Sequence, residues 1–530
     1  MAETVHKRVS ARATGVVGIA ILCSRILGLV REIVIASLFG ASRNLDAFLT
    51  AFRAPNMLRD LFAEGALSTA FVTTFSKKIA TEGDQSAWSL ANKVATLTAV
   101  FMSATTLLGI WLAPALVGAL APGFDPAKAE LTITLTRIMF PFILLVSLAA
   151  LVMGMLNAKD VFGVPATASS FFNLGSIIGG VLFAWWLDPH FGTRALVGLA
   201  LGTLLGGLLQ FAVQIPSLVR LGYVFHPDFL WRDEGVKKVL QLMGPAVIAA
   251  SAVQVNVLIN SIFASYLQDG AVSWLNVAFR LMQLPLGLFG VAIGTVTLPL
   301  VSRAAAAGKM PEFRSALAHS MRLVMLLTIP SAIGLIVMPE PIIALIYEHG
   351  RFTAFSTAQT AAALRFYAVG LVGYSSVKVL APAFYALDRR NMPMIVSLVS
   401  IAVNFGLNWT LTFKLGLGHK GLAMSTSIVA MCNFALLYLM MRHYAGPLET
   451  GTMLRTLGKL LIAGTALGAV CWLGSHFFFA PAVHHSTLQK LIGVGTTVIT
   501  AAAVFFGIAY LLGVAELHDL VEVVRRKVRR

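Results

Sequence analysis

Apolar residues run in stretches of about twenty along this chain, separated by short polar segments. The stretches fall near 14–39, 45–75, 94–119, 131–156, 164–186, 195–219, 239–267, 272–301, 317–338, 358–383, 393–413, 421–441, 457–479 and 491–514. At 1.5 Å per residue, a helix of about 20 residues crosses a hydrocarbon layer of roughly 30 Å. Membrane strands would instead alternate apolar and polar residues over about ten positions. The pattern therefore predicts an all-α polytopic membrane protein with fourteen transmembrane helices. The second and eighth stretches are long and carry polar residues, so breaks or kinks are expected there.

Composition strengthens this reading. Of the 530 residues, 58% are hydrophobic and 12% charged, and the mean hydropathy is +0.83. Soluble domains average about 25% charged residues. The net charge of +17 would suggest nucleic acid in a soluble protein. Here the basic residues gather in short loops, and the chain has no groove-reading motif or stacking platform, which excludes nucleic acid as a partner. The N-terminus and segments 76–93, 157–163, 220–238, 302–322, 384–392, 442–459 and 525–530 hold 25 Lys and Arg, whereas the opposite loops hold 7. The positive-inside rule then places both termini in the cytoplasm.

Several local features read as ordinary. Lys7, Arg8 and Arg12 precede an apolar stretch as in a signal peptide. That stretch contains Arg25 and Arg31 and runs on to Phe39, so it reads as a retained first helix. Cys23, Cys432 and Cys471 lie within spans without metal or redox spacing and read as small buried hydrophobes. His484–His485 reads as solvated loop, and the basic run at 525–530 as a cytoplasmic anchor facing membrane lipids. No metal site or cofactor is expected.

The chain also resembles itself. Ala51-Phe52-Arg53 recurs as Ala278-Phe279-Arg280, and Leu61-Phe62 as Leu288-Phe289, at an offset of 227. At 228, Arg137, Ser147, Ala158, Asp160 and Pro165 match Arg365, Ser375, Ala386, Asp388 and Pro393. The offset carries spans 1–6 onto spans 7–12. An even number of spans makes the halves parallel repeats, as in two-lobed transporters. The expected division is an N-lobe at 1–222, a C-lobe at 223–443, and two added helices with a basic tail at 444–530.

Eight basic residues fall inside spans: Arg25, Arg31, Arg53, Arg59, Arg137, Arg280, Arg365 and Lys378. An Arg at the centre of a lipid-facing helix costs roughly 2.5–3.5 kcal/mol, so these must face water, pair with acids or snorkel. Arg137, Arg365 and Lys378 are expected to form ion pairs or helix-end anchors, and Arg53 a pair with Asp46 or Asp60. Arg25, Arg31, Arg59 and Arg280 are expected to form an anion site. The guanidinium fork suits phosphate or pyrophosphate oxygens. Pro285, Gly287, Gly290 and Gly294 mark the eighth helix either as closely packed or as bending.

Residues Ser24 to Glu32 (SRILGLVRE) resemble the first-helix signature of the MurJ (MviN) lipid II flippases, within the MOP exporter superfamily. So do Asp46-Ala47-Phe48, Pro55-Asn56-Met57-Leu58-Arg59 and Phe62-Ala63-Glu64-Gly65-Ala66-Leu67-Ser68. The run from Arg280 through Leu284-Pro285 to Gly294-Thr295 is similar to the family's eighth helix. Glu340-Pro341-Ile342-Ile343 with Gly350-Arg351-Phe352-Thr353 is similar to its fifth periplasmic loop.

The resemblance implies a non-enzymatic transporter of the bacterial inner membrane. Its implied substrate is undecaprenyl pyrophosphate carrying a disaccharide-pentapeptide, and other cell-wall synthesis proteins are further candidate partners. It also implies two six-helix lobes around a cationic cavity, and two extra helices whose groove holds the lipid tail. By motif position, Arg25, Arg31, Arg59 and Arg280 match the family's functional arginines, and Glu32, Asp46, Asn56 and Glu64 its polar positions near the cavity or gate. The chain departs from the family pattern in two respects. Gln283 stands where several members carry glutamate, and Asn260, Asn404 and Asn408 are neutral where some members bind sodium with aspartates.

The alternatives are an exporter of another lipid-linked oligosaccharide and a MATE-like small-molecule exporter. A cationic cavity opposes cationic drugs. An intramembrane enzyme would need paired carboxylates, a histidine acid–base site or a metal site, and the chain offers no such constellation.

Overall fold

The structure, a computed structural model, describes residues 11–478 and 486–528. The expected His484–His485 loop, the N-terminal Lys7 and Arg8, the Glu64 side chain and the side chains of the 525–530 run lie outside the described residues. Every regular element among the described residues is helical. The chain divides into two compact units, Met1–Asp269 and Gly270–Arg530.

The first unit contains α1 (Ala11–Phe39), α2 (Arg43–Leu58), a π-helical segment (Arg59–Leu67), α3 (Ser68–Glu82), α4 (Asp84–Trp111) and α5 (Ala113–Leu120). It continues with α6 (Pro126–Met139), α7 (Phe142–Ala158), α8 (Gly163–Leu187), α9 (Ala195–Ala212), α10 (Ile215–Arg220) and α11 (Glu234–Ser265). The second unit contains α12 (Ala271–Pro285), a π-helical segment (Leu286–Val291), α13 (Ala292–Ala306), α14 (Met310–Val337), α15 (Pro339–Ile346) and α16 (Ala354–Val369). It ends with α17 (Leu371–Ala386), α18 (Asn391–Trp409), a third π-helical segment (Thr410–Lys414), α19 (His419–Ala445), α20 (Thr450–Phe478), α21 (Thr487–Leu511) and α22 (Ala515–Val528).

Among the described residues, ten helices are long and apolar enough to cross a membrane, or eleven if α16 and α17, bent by 42°, count as one span. The chain is therefore a multi-pass membrane protein. The stretches at 14–39, 45–75 and 239–267 are helical as well, and they carry four of the eight embedded basic residues.

The internal repeat extends to local structure. The two spans expected to break both contain π-helical turns, beginning at Arg59 and Leu286, again 227 residues apart. Wider π turns follow where proline removes a backbone donor, here Pro55 and Pro285. Asp125 and Thr353, 228 apart, cap α6 and α16 by accepting from Lys128 N and Ser356 N. Asp160 and Asp388 both take left-handed backbone, at φ 61° and 56°, just after α7 and α17. Pro165 and Pro393 then sit in the first turns of α8 and α18.

The compact units divide one helix later than the repeat. α11, which begins the second repeat, is fastened within the first unit. Asp233 pairs with Lys93 at 2.8 Å, and Ser265 Oγ accepts from Gly123 N at 3.0 Å.

Packing in both units relies on small residues and buried ion pairs. α8 and α9 meet backbone to backbone, and a Cβ added at Gly202 would lie 2.2 Å from Gly180 N. Close approach of this kind supplies the dispersion contact that holds helices together in lipid. In the second unit, buried Arg322 of α14 pairs with Glu516 of α22 and, at 2.7 Å, with Glu449. Of the three cysteines, only Cys471 is buried. Cys23 and Cys432 are exposed, which corrects the reading of all three as buried hydrophobes, because an apolar solvent accepts a thiol on the outer face of a helix.

Candidate functional site

The candidate residues of the first unit sit on two supports. α1 carries Arg25, Arg31 and Glu32, and it packs along α8. Asn173 of α8 is buried and donates to the Ser24 carbonyl at 3.1 Å. The Asn173 amide packs beside Gly28, where an added Cβ would make ordinary contact with it at 3.6 Å. One turn on, the Arg31 guanidinium lies over the Phe172 ring, 5.1 Å from its centre. Such stacking satisfies the face of a guanidinium while leaving its N–H edge for oxygen ligands. Arg31 and Glu32 are half-buried. Arg25 is exposed and has no hydrogen bond or ion pair with any described residue. By the cost argued above, such a cation faces water or snorkels to an interface.

The second support is α2 with its π-helical continuation, packed on α6, α7 and α11. Asn56 follows the buried Pro55, and its carbonyl accepts the Arg59 N–H. Arg59 forks onto Asp60 Oδ1 through Nε at 3.2 Å and Nη2 at 2.9 Å. Gln254 of α11 donates to the other Asp60 oxygen at 3.4 Å. Asp60 is therefore a positioning group for Arg59, with both side chains partly open to solvent. Arg53 donates to Ser261 Oγ on α11.

Asp46 occupies the far end of α2, thirteen residues from Arg59, or about 20 Å by helical rise. It is fully buried, and Lys128 Nζ lies 3.2 Å from its Oδ2. Lys128 also reaches Asp269 at 2.8 Å and lies over the Phe124 ring at 4.2 Å. Arg43 pairs with Asp125 and lies 3.9 Å from Asp269. This cluster ties the start of α2, the start of α6 and the segment after α11 together.

In the second unit, Arg280 is exposed on α12. Of the residues expected to form ion pairs or helix-end anchors, Arg365 donates to both Glu340 oxygens at 2.7 and 2.8 Å. Arg137, in the last turn of α6, donates to the Ile110 carbonyl at 3.4 Å. Lys378, expected to form an ion pair or a helix-end anchor, is exposed and has no hydrogen bond or ion pair with any described residue. Asn408 donates to Asn404 Oδ1 at 2.7 Å, and both side chains are buried.

Sequence reasoning missed the supporting groups Phe172, Asn173, Lys128 and Gln254. Lys128 had one usable signal, its position three residues after the Asp125 cap, which puts it in a helix rather than a loop.

Comparison with known proteins identifies the family. The family model described as "Lipid II flippase MurJ" matches residues 35–493. A lipid II flippase MurJ of Burkholderia cenocepacia is 36% identical over 499 residues, covering 93% of this chain and 95% of that protein. A Vibrio cholerae protein described as a probable lipid II flippase MurJ is 35% identical over 532 residues, covering 98% of each chain. A solved structure of lipid II flippase MurJ in an inward closed conformation superimposes with a TM-score of 0.75 at 25% identity, covering 92% of this chain and 98% of that one. An inward-facing MATE multidrug transporter of the MOP superfamily shares the fold, with a TM-score of 0.67 at 15% identity.

Proposed function

Because the chain belongs to the MurJ family of lipid II flippases, we propose that Arg25, Arg31, Arg59 and Arg280 bind the pyrophosphate of lipid II as it crosses the membrane. The protein is a transporter, not an enzyme. It moves the undecaprenyl-pyrophosphate-linked peptidoglycan precursor from the cytoplasmic to the periplasmic leaflet. The single observation that carries the assignment of residues is Arg25, an embedded cation presented without a described partner six residues before the ring-stacked Arg31 on the same helix. Arg59, oriented by Asp60, adds a second fork.

Glu32, Asn56 and Glu64 are assigned to the polar surroundings of these arginines, and Asp46 to the buried pair that fixes the far end of α2. Residues 1–222 and 223–443 act as two parallel repeats that alternate access. Residues 444–530 add two helices and a basic tail, and the repeated caps and π turns support this division. All fourteen stretches cross a bacterial inner membrane with both termini in the cytoplasm, as the distribution of Lys and Arg indicates. Other cell-wall synthesis proteins are further candidate partners.

Depleting the protein in living cells tests the direction of transport. Lipid II should accumulate in the cytoplasmic leaflet. Accumulation in the periplasmic leaflet would contradict the assignment.

A further inference from the structure

Lys378 is a charged residue that the pyrophosphate site does not use. It lies eight residues before the end of α17, about 12 Å along the helix, which is too far inside to count as a helix-end residue. Its charge has no described partner, and its side chain is exposed. An ammonium on a spanning helix with no described partner needs water, an anionic ligand or a headgroup within snorkelling reach. The repeat-equivalent position in the first half, 228 residues earlier, is the buried Ala150, so this cation belongs to the second half alone.

Its position relative to Arg280 is fixed by packing within the second unit. Gly294 of α13 presses on α17, and a Cβ added there would lie 2.6 Å from the Lys378 carbonyl oxygen. Gly294 is fourteen residues beyond Arg280 along one nearly continuous helical run, which is about 21 Å at 1.5 Å per residue. By the proposed topology, Lys378 is on the cytoplasmic side of Arg280.

The substrate has a second anionic end. A pentapeptide stem terminates in a carboxylate, and five extended residues reach about 17 Å. The sugar between stem and pyrophosphate adds to that reach. With the pyrophosphate at Arg280, the terminal carboxylate falls within range of Lys378.

We propose that Lys378 binds the stem-peptide carboxylate of lipid II while the arginines hold its pyrophosphate, which makes it a determinant of peptide specificity. This rests on the reading of Arg280 given above. The headgroup is then held at two points, so that a bare undecaprenyl pyrophosphate, lacking sugar and peptide, forfeits one of them.

The test uses the full-length protein in lipid nanodiscs and compares wild type with Lys378→Gln, Lys378→Arg and Arg280→Ala. Three lipids serve as probes: lipid II, lipid II with its terminal stem carboxylate converted to an amide, and undecaprenyl pyrophosphate. Lys378→Gln should weaken lipid II binding about tenfold, the size of one charge-assisted hydrogen bond. It should leave undecaprenyl pyrophosphate binding unchanged. Amidation should weaken binding to wild type to the same degree and have no further effect on Lys378→Gln, while Lys378→Arg retains most of the affinity. Equal binding of lipid II by wild type and Lys378→Gln would overturn the proposal and leave Lys378 as an anchor to lipid headgroups. Equal weakening of both natural lipids by Lys378→Gln would overturn it in favour of a pyrophosphate contact. Arg280→Ala should weaken all three lipids. If it weakens none, the pyrophosphate reading fails, a result distinct from failure of the amidation arm alone.

Discussion

Lys128 Nζ lies 3.2 Å from Asp46 Oδ2, and both side chains are buried where the start of α6 meets the start of α2. Removing one partner of a buried pair strands the other charge, at a cost of about 3–5 kcal/mol. Lys128→Ala should therefore lower the thermal unfolding midpoint of the detergent-solubilised protein sharply. Lys128→Ala combined with Asp46→Asn should recover part of the loss, because the buried carboxylate that faced the ammonium is removed with it. If the double variant is as unstable as the sum of the two single variants, the pair is not coupled.

The contact between α8 and α9 gives a steric test. Gly202→Val places side-chain atoms where Gly180 N already lies 2.2 Å from a Cβ position. The helices must separate, and little folded protein should be recovered from membranes. Gly495→Ala in α21 is the control, since no atom lies within 4 Å of the added methyl. It should be neutral or stabilising by up to about 1 kcal/mol. Normal yield of Gly202→Val would show that α8 and α9 are not this close.

Asp233, which caps α11, gives a pH dependence outside the membrane. Burial pushes its carboxyl up, but the Lys93 ammonium and the N–H groups of Gly235 and Val236 outweigh this and hold it below the ordinary 3.8. A depressed folded value means that the charged form stabilises the fold above the ordinary value. That stability is lost as pH falls through the lower folded value. Asp233→Asn should therefore lower the unfolding midpoint by a constant amount between about pH 5 and 7, and the gap should close below about pH 4. A gap that persists undiminished in acid would point to the cap's shape rather than its charge.

Orientation can be read by labelling. In a variant lacking Cys23, Cys432 and Cys471, a cysteine replacing exposed Phe355 should react with a membrane-impermeant maleimide in intact spheroplasts. A cysteine replacing Arg232 should react only after lysis. The reverse pattern would invert the proposed topology.

The helices were legible in the sequence because a spanning helix must be apolar over its whole length, whatever it packs against. The π turns were partly legible, through Pro55 and Pro285 and the polar residues around them. The arginines stood out because lipid makes each of them costly. What holds them did not, since Asn173 and Phe172 lie about 150 and 140 residues from Ser24 and Arg31 and reveal themselves only when α1 lies against α8. Lys128 was hidden for a similar reason. Its neighbours in sequence suggest an exposed loop, whereas Asp46, eighty-two residues earlier, turns it into a buried partner. The fastening of α11 within the first unit depends on Ser261, Gln254 and Ser265, residue types that carry no signal of partner choice.

The central claim is that the embedded arginines carry the pyrophosphate, and transport by single variants measures it most directly. Arg25→Ala, Arg31→Ala, Arg59→Ala and Arg280→Ala should each be supplied as the sole copy in cells, with membrane insertion verified and the leaflet distribution of lipid II determined. Each variant should leave lipid II in the cytoplasmic leaflet and fail to support growth, while Arg137→Ala, whose side chain only meets a carbonyl, should transport nearly normally. Wild-type distribution and growth for all four would contradict the account.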